Sequence, residues 1–171
     1  MKRLSTIVRI AALAGLIALP LPAGAALWGY NAIGVGTESD DCPGSSDTCT
    51  VEMTTNVSGG LGGTSYSRAP FHVTLTVVIS EPIANGFSSS FCYPASGTGS
   101  IDGLPGGAVN LSTVGMLCDM FSGGSPQGYN GTYFVTGGAK KNANASGTGN
   151  VSASMEPSNR LILSIFGVIQ R

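Results

Sequence analysis

Short runs in which apolar and polar residues alternate follow one another along most of the chain. The clearest run is Phe71–Ile79, where every second residue from Phe71 to Val77 is apolar and His72 lies with threonines on the other side. A two-residue period is the side-chain period of a β-strand. Proline in Glu81-Pro82 ends this run, because proline cannot donate to a strand ladder. No stretch of the mature chain has a convincing helical period, so the pattern predicts an all-β protein.

A repeated phrase supports this interpretation. The sequence ASGTG occurs at Ala95–Gly99 and again at Ala145–Gly149, and each copy precedes a turn and an apolar run that carries a glycine. The 26 glycines of the chain also disfavour helices, at about 1 kcal/mol per interior position. We interpret the two copies as equivalent hairpins of one barrel, with glycine at its tight bends.

The fold expected from these patterns is a single antiparallel β-barrel of about eight strands, with a β-sandwich as the alternative. A barrel is favoured because closure removes exposed edge strands. Besides Phe71–Ile79, strands are predicted at Ala26–Gly36, Thr50–Val57, Phe87–Tyr93, Thr98–Ile101, Val109–Leu117, Gly131–Thr136, Thr148–Met155 and Leu161–Ile169. Between them we expect a polar loop at Thr37–Thr48, a flexible connection at Gly59–Gly63, a turn at Pro94, a loop at Gly123–Gly128 and a turn at Pro157–Asn159.

The first 25 residues have the pattern of a secretory signal peptide. Basic residues precede a short apolar stretch, Ile10–Leu21, and the small residues of Ala23–Ala25 follow it. Cleavage after Ala25 would leave one domain, residues 26–171, without a transmembrane segment. We expect this domain to be secreted or periplasmic, and the compact signal peptide suggests that the host is a bacterium. This mature chain has five basic and nine acidic residues, a net charge of −4, which argues against nucleic acid as a partner. The oligomeric state stays open.

All four cysteines lie in the mature part, which predicts two disulfides in an exported protein. Three pairings are conceivable, and nearness in sequence favours Cys42–Cys49 and Cys92–Cys118. A zinc site would need closely spaced ligands, and the only histidine is His72.

Few residues qualify for a chemical site. Four carboxylates in or near the first loop form a weak Ca²⁺ candidate, because calcium takes oxygen ligands; they are Glu38, Asp40, Asp41 and Asp47. His72 is the only side chain with a near-neutral reference pKa. It would line a ligand pocket if the threonine face of its strand points into a lumen, and would lie on the surface otherwise. No catalytic motif and no cofactor are predicted.

The second half of the chain resembles a known family. Tyr129–Gly138 and Ala143–Gly149 are similar to the pattern of bacterial secreted relatives of the allene oxide cyclase and dirigent barrels, in which a strand ending in Gly-Gly is followed by a short linker and an Ala-x-Gly-x-Gly strand. Cys92 and Gly115–Cys118 add to the resemblance, which extends over Phe91–Ile169. It implies an eight-stranded barrel. The family linker usually reads Thr-Gly-Arg-Phe, where this chain has Ala139–Asn142, and no catalytic residue carries over.

These observations lead to one expected function and two alternatives. We expect a non-catalytic barrel that binds a small apolar ligand or a partner surface, because barrels commonly enclose a cavity. The first alternative, implied by the resemblance, is an isomerase or cyclase that works by shaping its substrate in an apolar pocket. The second is a structural or adhesive surface subunit. A lumen packed with side chains would favour the last alternative.

Overall fold

The computed structural model describes residues 26–42, 46–84, 91–118, 127–155 and 160–171. Several predicted segments lie outside this part of the chain: the signal peptide at residues 1–25, residues 43–45 of the first loop, residues 87–90 of the strand predicted at Phe87–Tyr93, the loop residues 123–126 and the turn residues 157–159. The described residues form β-strands joined by turns and one short 3-10 helix, Lys140–Asn142. The strands are β1 (Leu27–Asp41), β2 (Thr48–Leu61), β3 (Thr64–Val78), β4 (Ile83–Ala84), β5 (Phe91–Ile101), β6 (Val109–Cys118), β7 (Gln127–Gly138), β8 (Ser146–Met155) and β9 (Arg160–Gln170).

Eight of these strands close into an antiparallel barrel. Their order is β3-β2-β1-β9-β8-β7-β6-β5, and β5 pairs back onto β3. The closing register runs from Phe71 opposite Ile101 to Val77 opposite Ala95. The two-residue strand β4 adds to the start of β5. The predicted closed barrel is therefore confirmed, and the sandwich alternative is wrong.

Both predicted disulfides are also present. Cys92 and Cys118 lie directly opposite each other on β5 and β6, and the Cys92–Cys118 bond joins these two strands. Cys42 follows β1 and bonds to Cys49, which lies at the start of β2. Each bond therefore fastens a pair of sequential neighbours in the sheet.

Several strands are longer than the sequence predicts. β1 continues to Asp41 instead of ending at Gly36, because Thr37–Asp41 keeps antiparallel register with Thr50–Thr54 on β2. The predicted flexible connection at Gly59–Gly63 is mostly strand, and only Gly62 and Gly63 form the turn between β2 and β3. Hydrogen bonding to a neighbour holds these polar and glycine-rich segments extended although they have no apolar face of their own.

The turn predicted at Pro94 is wrong. Pro94 lies inside β5, where it is opposite Met116 on β6. On its other side, pairing with β3 begins only at Ala95, and pairing with β4 reaches no further than Cys92. The missing N–H therefore falls in a gap of the ladder, a position at which a strand tolerates proline.

The two ASGTG segments are not equivalent hairpins. Both lie near one end of the barrel, but β5 runs toward that end and β8 runs away from it. Gly99 is opposite Leu111, whereas its counterpart Gly149 is opposite Gly167. We call this end, which carries the β2–β3, β5–β6 and β7–β8 connections, the glycine end.

The core is the interior of the barrel. On β3 the predicted apolar side from Phe71 to Val77 faces inward and is buried, as expected. Other strands carry inward-facing glycines that make room for large neighbours. The Tyr133 ring lies against Gly149 and Gly167, and a Cβ on Gly149 would stand 2.6 Å from Tyr133 Cε1. Aromatic rings packed on glycines let the narrow barrel bury wide side chains.

Candidate functional site

The middle of the barrel is filled by side chains. Tyr129 and Thr113 meet there, with 2.7 Å between the two hydroxyl oxygens. The enclosed void around them, between Met53 and Ile165, has a volume of about 10 Å³. That is about the minimum that one water molecule needs, and small-molecule sites usually measure about 300–1,000 Å³. As far as the described residues show, the centre of the interior therefore has no room for a ligand larger than a water molecule.

Three tyrosines lie between this void and the glycine end. The Tyr30 ring is stacked on Tyr66 at 6.3 Å between centroids and meets Tyr133 edge-on at 6.4 Å. Burial raises the pKa of the Tyr30 and Tyr133 hydroxyls far above the usual range. Phenols with raised pKa values stay protonated at neutral pH, so this cluster offers no general base.

His72 lies on the outer surface. Its neighbours Phe71 and Val73 point into the barrel, so His72 points out, with the Thr54 Oγ1 3.2 Å from its Nδ1 and the Thr74 Oγ1 3.4 Å from its Nε2. His72 therefore does not face the lumen, and the pocket position considered for it is not found. Both contacts are ordinary cross-strand and same-strand neighbours.

The four carboxylates proposed for calcium do not form one cluster. The Glu38 side chain points inward and is buried, whereas Asp40, Asp41 and Asp47 are exposed. Within the described ranges no three metal-ligating side chains come together. Burial, and then the negative charge of Asp40, raises the pKa of the Glu38 carboxyl, and its Oε1 has no hydrogen-bond partner among the described residues.

The outer surface of β1, β6, β7 and β9 carries exposed apolar side chains, and the outward-facing residues of β8 between them are serine, threonine and asparagine. On β1, Ile33 is 65% exposed, and Phe166 on β9 is 54% exposed. Val35 lies directly opposite Ile162, and Ile33 is opposite Ser164, so these side chains adjoin one another. We call this surface the apolar wall; its exposed apolar members are Ile33, Val35, Val114, Phe134, Ile162 and Phe166.

The apolar wall is also uncharged. Between Asp41 and Arg160 at one end of the barrel and Gln170 at the other, every outward-facing residue of these five strands is apolar, glycine, cysteine, serine, threonine or asparagine. A shallow groove of about 490 Å³ crosses the wall between Val114 and Phe166, with Asn150 in its floor. Contiguous apolar patches on an outer surface are a common mark of interaction sites.

One feature of the sequence, which strict apolar–polar alternation does not include, indicates this wall. In Leu161–Ile169 apolar residues occupy both strand faces, with Leu161, Leu163 and Ile165 pointing inward and Ile162 and Phe166 pointing outward. Continuous apolar runs are typical of strands that are covered on both sides. Here only the inner side is covered by the described residues.

No protein-family model, no curated protein and no solved structure matches this chain. In the described ranges no helix is long and apolar enough to span a membrane.

Proposed function

We propose that this protein is an exported, non-catalytic barrel that works through its outer surface, and that the partner of its apolar wall is a second copy of the chain. The observation that carries the proposal is the exposed, uncharged apolar wall on a barrel whose centre is filled. Of the expected activities, this supports binding of a partner surface and use as a structural subunit.

The charge distribution is compatible with a second copy as the occupant. The mature chain carries a net charge of −4, which opposes self-association, and a contact over a face without charges keeps the charges of the two copies apart. The apolar wall is such a face. A two-fold symmetric contact through it would bring apolar residues of β1 and β9 together with no buried charge left unpaired.

The wall extends over five of the eight strands of the closed barrel, which is more than half of its circumference. Two copies can therefore meet over only part of the wall. β1 and β9 form the part that carries most of its exposed apolar side chains, namely Ile33, Val35, Ile162 and Phe166.

The isomerase or cyclase alternative gains no support from the described interior. It depends on a pocket that shapes a substrate, and the centre of the barrel has only the void of about 10 Å³. Export itself remains a prediction from residues 1–25, with which the two disulfides are compatible.

The proposal is tested by placing a charge in the wall. Ser164 is exposed on β9 beside Ile33, Ile162 and Phe166. In Ser164→Lys, each copy would bring an unpaired charge into the contact, which should raise the dimer dissociation constant by about tenfold or more. Sedimentation velocity over a wide range of protein concentration measures this constant.

Thr76→Lys is the matched control, because Thr76 is exposed on the outer face of β3, away from the wall. It adds the same charge and should leave the dissociation constant unchanged. A wild-type chain that stays monomeric at every concentration, or an equal effect of both substitutions, would overturn the proposal.

A further inference from the structure

A cleft opens at the glycine end of the barrel. It lies between the start of β1, the β5–β6 loop and the β7–β8 connection, and its volume is about 700 Å³. Trp28, Leu104 and Pro105 give it an apolar side. The charged residues that line it are Lys140, Lys141 and Arg171.

The three cations come together only in the fold. Lys140 and Lys141 are adjacent in sequence, whereas Arg171 follows β9. These are three of the five basic residues of the mature chain, and in the described ranges no ion pair is found for any of them. The cleft therefore concentrates positive charge on a protein that is negative overall.

The Arg171 guanidinium is held in place from one side. Its Cζ lies 4.9 Å from the centroid of the Trp28 ring, a cation–π contact. The Arg171 Nε is buried without a hydrogen-bond partner among the described residues. A Cβ on Gly106 would stand 2.7 Å from Arg171 Nη1, so glycine at this position keeps open the space that the guanidinium uses.

The loops that carry the lysines are fixed before any ligand arrives. The fully buried Asn142 donates from Nδ2 to the Gly107 carbonyl at 2.6 Å, and the Lys141 N–H donates to the Gly106 carbonyl at 2.9 Å. Lys140 has φ 55°, a left-handed conformation that is unfavourable for a lysine. Strained residues of this kind cluster at ligand-binding sites.

From this arrangement we propose that the cleft binds a carboxylate-bearing ligand whose apolar body lies beside Trp28 and Pro105, on the apolar side of the cleft. Carboxylates suit arginine and lysine donors that are already in place. A phosphate would gain most from a cradle of free backbone N–H groups. The N–H groups of Gly107, Lys141 and Asn142 are already bonded to carbonyls within the loops, which favours the carboxylate. The proposal is independent of the apolar wall, which lies on the side of the barrel.

Trp28 is the only tryptophan of the chain and reports on the cleft directly. We would titrate the full mature protein with digalacturonate, an acidic sugar, with phenylacetate, an aromatic acid, and with inorganic phosphate, all at one ionic strength. Trp28 fluorescence and calorimetry should detect binding of at least one of the two carboxylates. Binding of digalacturonate would identify an acidic sugar as the ligand class, and binding of phenylacetate an aromatic acid. Phosphate should bind at least about tenfold more weakly, since the N–H groups of Gly107, Lys141 and Asn142 already donate to carbonyls.

The variant Lys140→Asn/Lys141→Gln removes two charges from the cleft, and asparagine is well suited to the left-handed conformation at position 140. It should weaken carboxylate binding by about tenfold or more, since hydrogen bonds to charged groups are among the stronger ones. Arg68→Asn is the matched control, because Arg68 is also exposed with φ 55° but lies outside the cleft. No binding of either carboxylate, equal or tighter binding of phosphate, or an equal loss in the control would overturn the proposal.

Discussion

Among the individual residues, Glu38 is a carboxylate whose ionisation the fold opposes. Burial raises the pKa of its carboxyl above the reference value of 4.5, and Asp40 adds to the shift. In the unfolded chain the carboxyl loses its proton near that reference value, while the folded protein still holds it. Stability must therefore fall as the pH rises from the unfolded to the folded pKa.

Replacing Glu38 with glutamine removes this dependence. Glu38→Gln should be more stable than the wild type at neutral pH, and the two should converge below the unfolded pKa, where both side chains are neutral. Urea unfolding at a series of pH values measures the difference. Glu52→Gln, at an exposed position of β2, is the control and should follow the wild-type curve. A Glu38→Gln variant less stable than wild type at neutral pH would show that the ionised carboxylate has a favourable partner.

At the level of the strands, the sequence predicts faces better than it predicts ends. The inward side of β3 follows directly from the alternation around Phe71 and Val77. Thr37–Asp41 and Gly59–Leu61 have no such alternation, and their extended conformation depends on pairing with neighbours. A turn is predicted at Pro94 because the sequence does not show which strands pair with β5 on either side of the proline.

The close contact of β7, β8 and β9 at Gly149 gives a prediction at this scale. A methyl group on Gly149 would collide with the Phe166 carbonyl oxygen and stand 2.6 Å from Tyr133 Cε1. Gly149→Ala should therefore lower the free energy of unfolding by about 2–3 kcal/mol, the usual cost of overpacking. Gly128→Ala is the control on β7, where an added Cβ would meet nothing within 4 Å, and it should change stability by less than about 0.5 kcal/mol. Urea denaturation distinguishes the two, and equal effects would contradict the packing argument.

For the whole molecule, both candidate surfaces are made by segments far apart in the chain. The apolar wall joins β1 to β6–β9, and the cleft adds Arg171 to Lys140 and Lys141. Fold class and disulfides could be predicted from alternation and cysteine spacing because these are local properties. Neither surface could be, because each depends on the strand order and on which end of the barrel a loop occupies. For the same reason the sequence does not show whether His72 faces the surface or the lumen.

The filled centre leads to a prediction about the protein as its own host makes it. Native mass spectrometry of the mature chain should show the polypeptide with two disulfides and no lipid-sized adduct, because a void of about 10 Å³ cannot hold one. A small acidic adduct that disappears in Lys140→Asn/Lys141→Gln would belong to the cleft and agree with the carboxylate site. An apolar adduct that persists both in this variant and in Ser164→Lys would be explained by neither the cleft nor the apolar wall. It would contradict the filled interior and would restore the ligand-binding and cyclase alternatives.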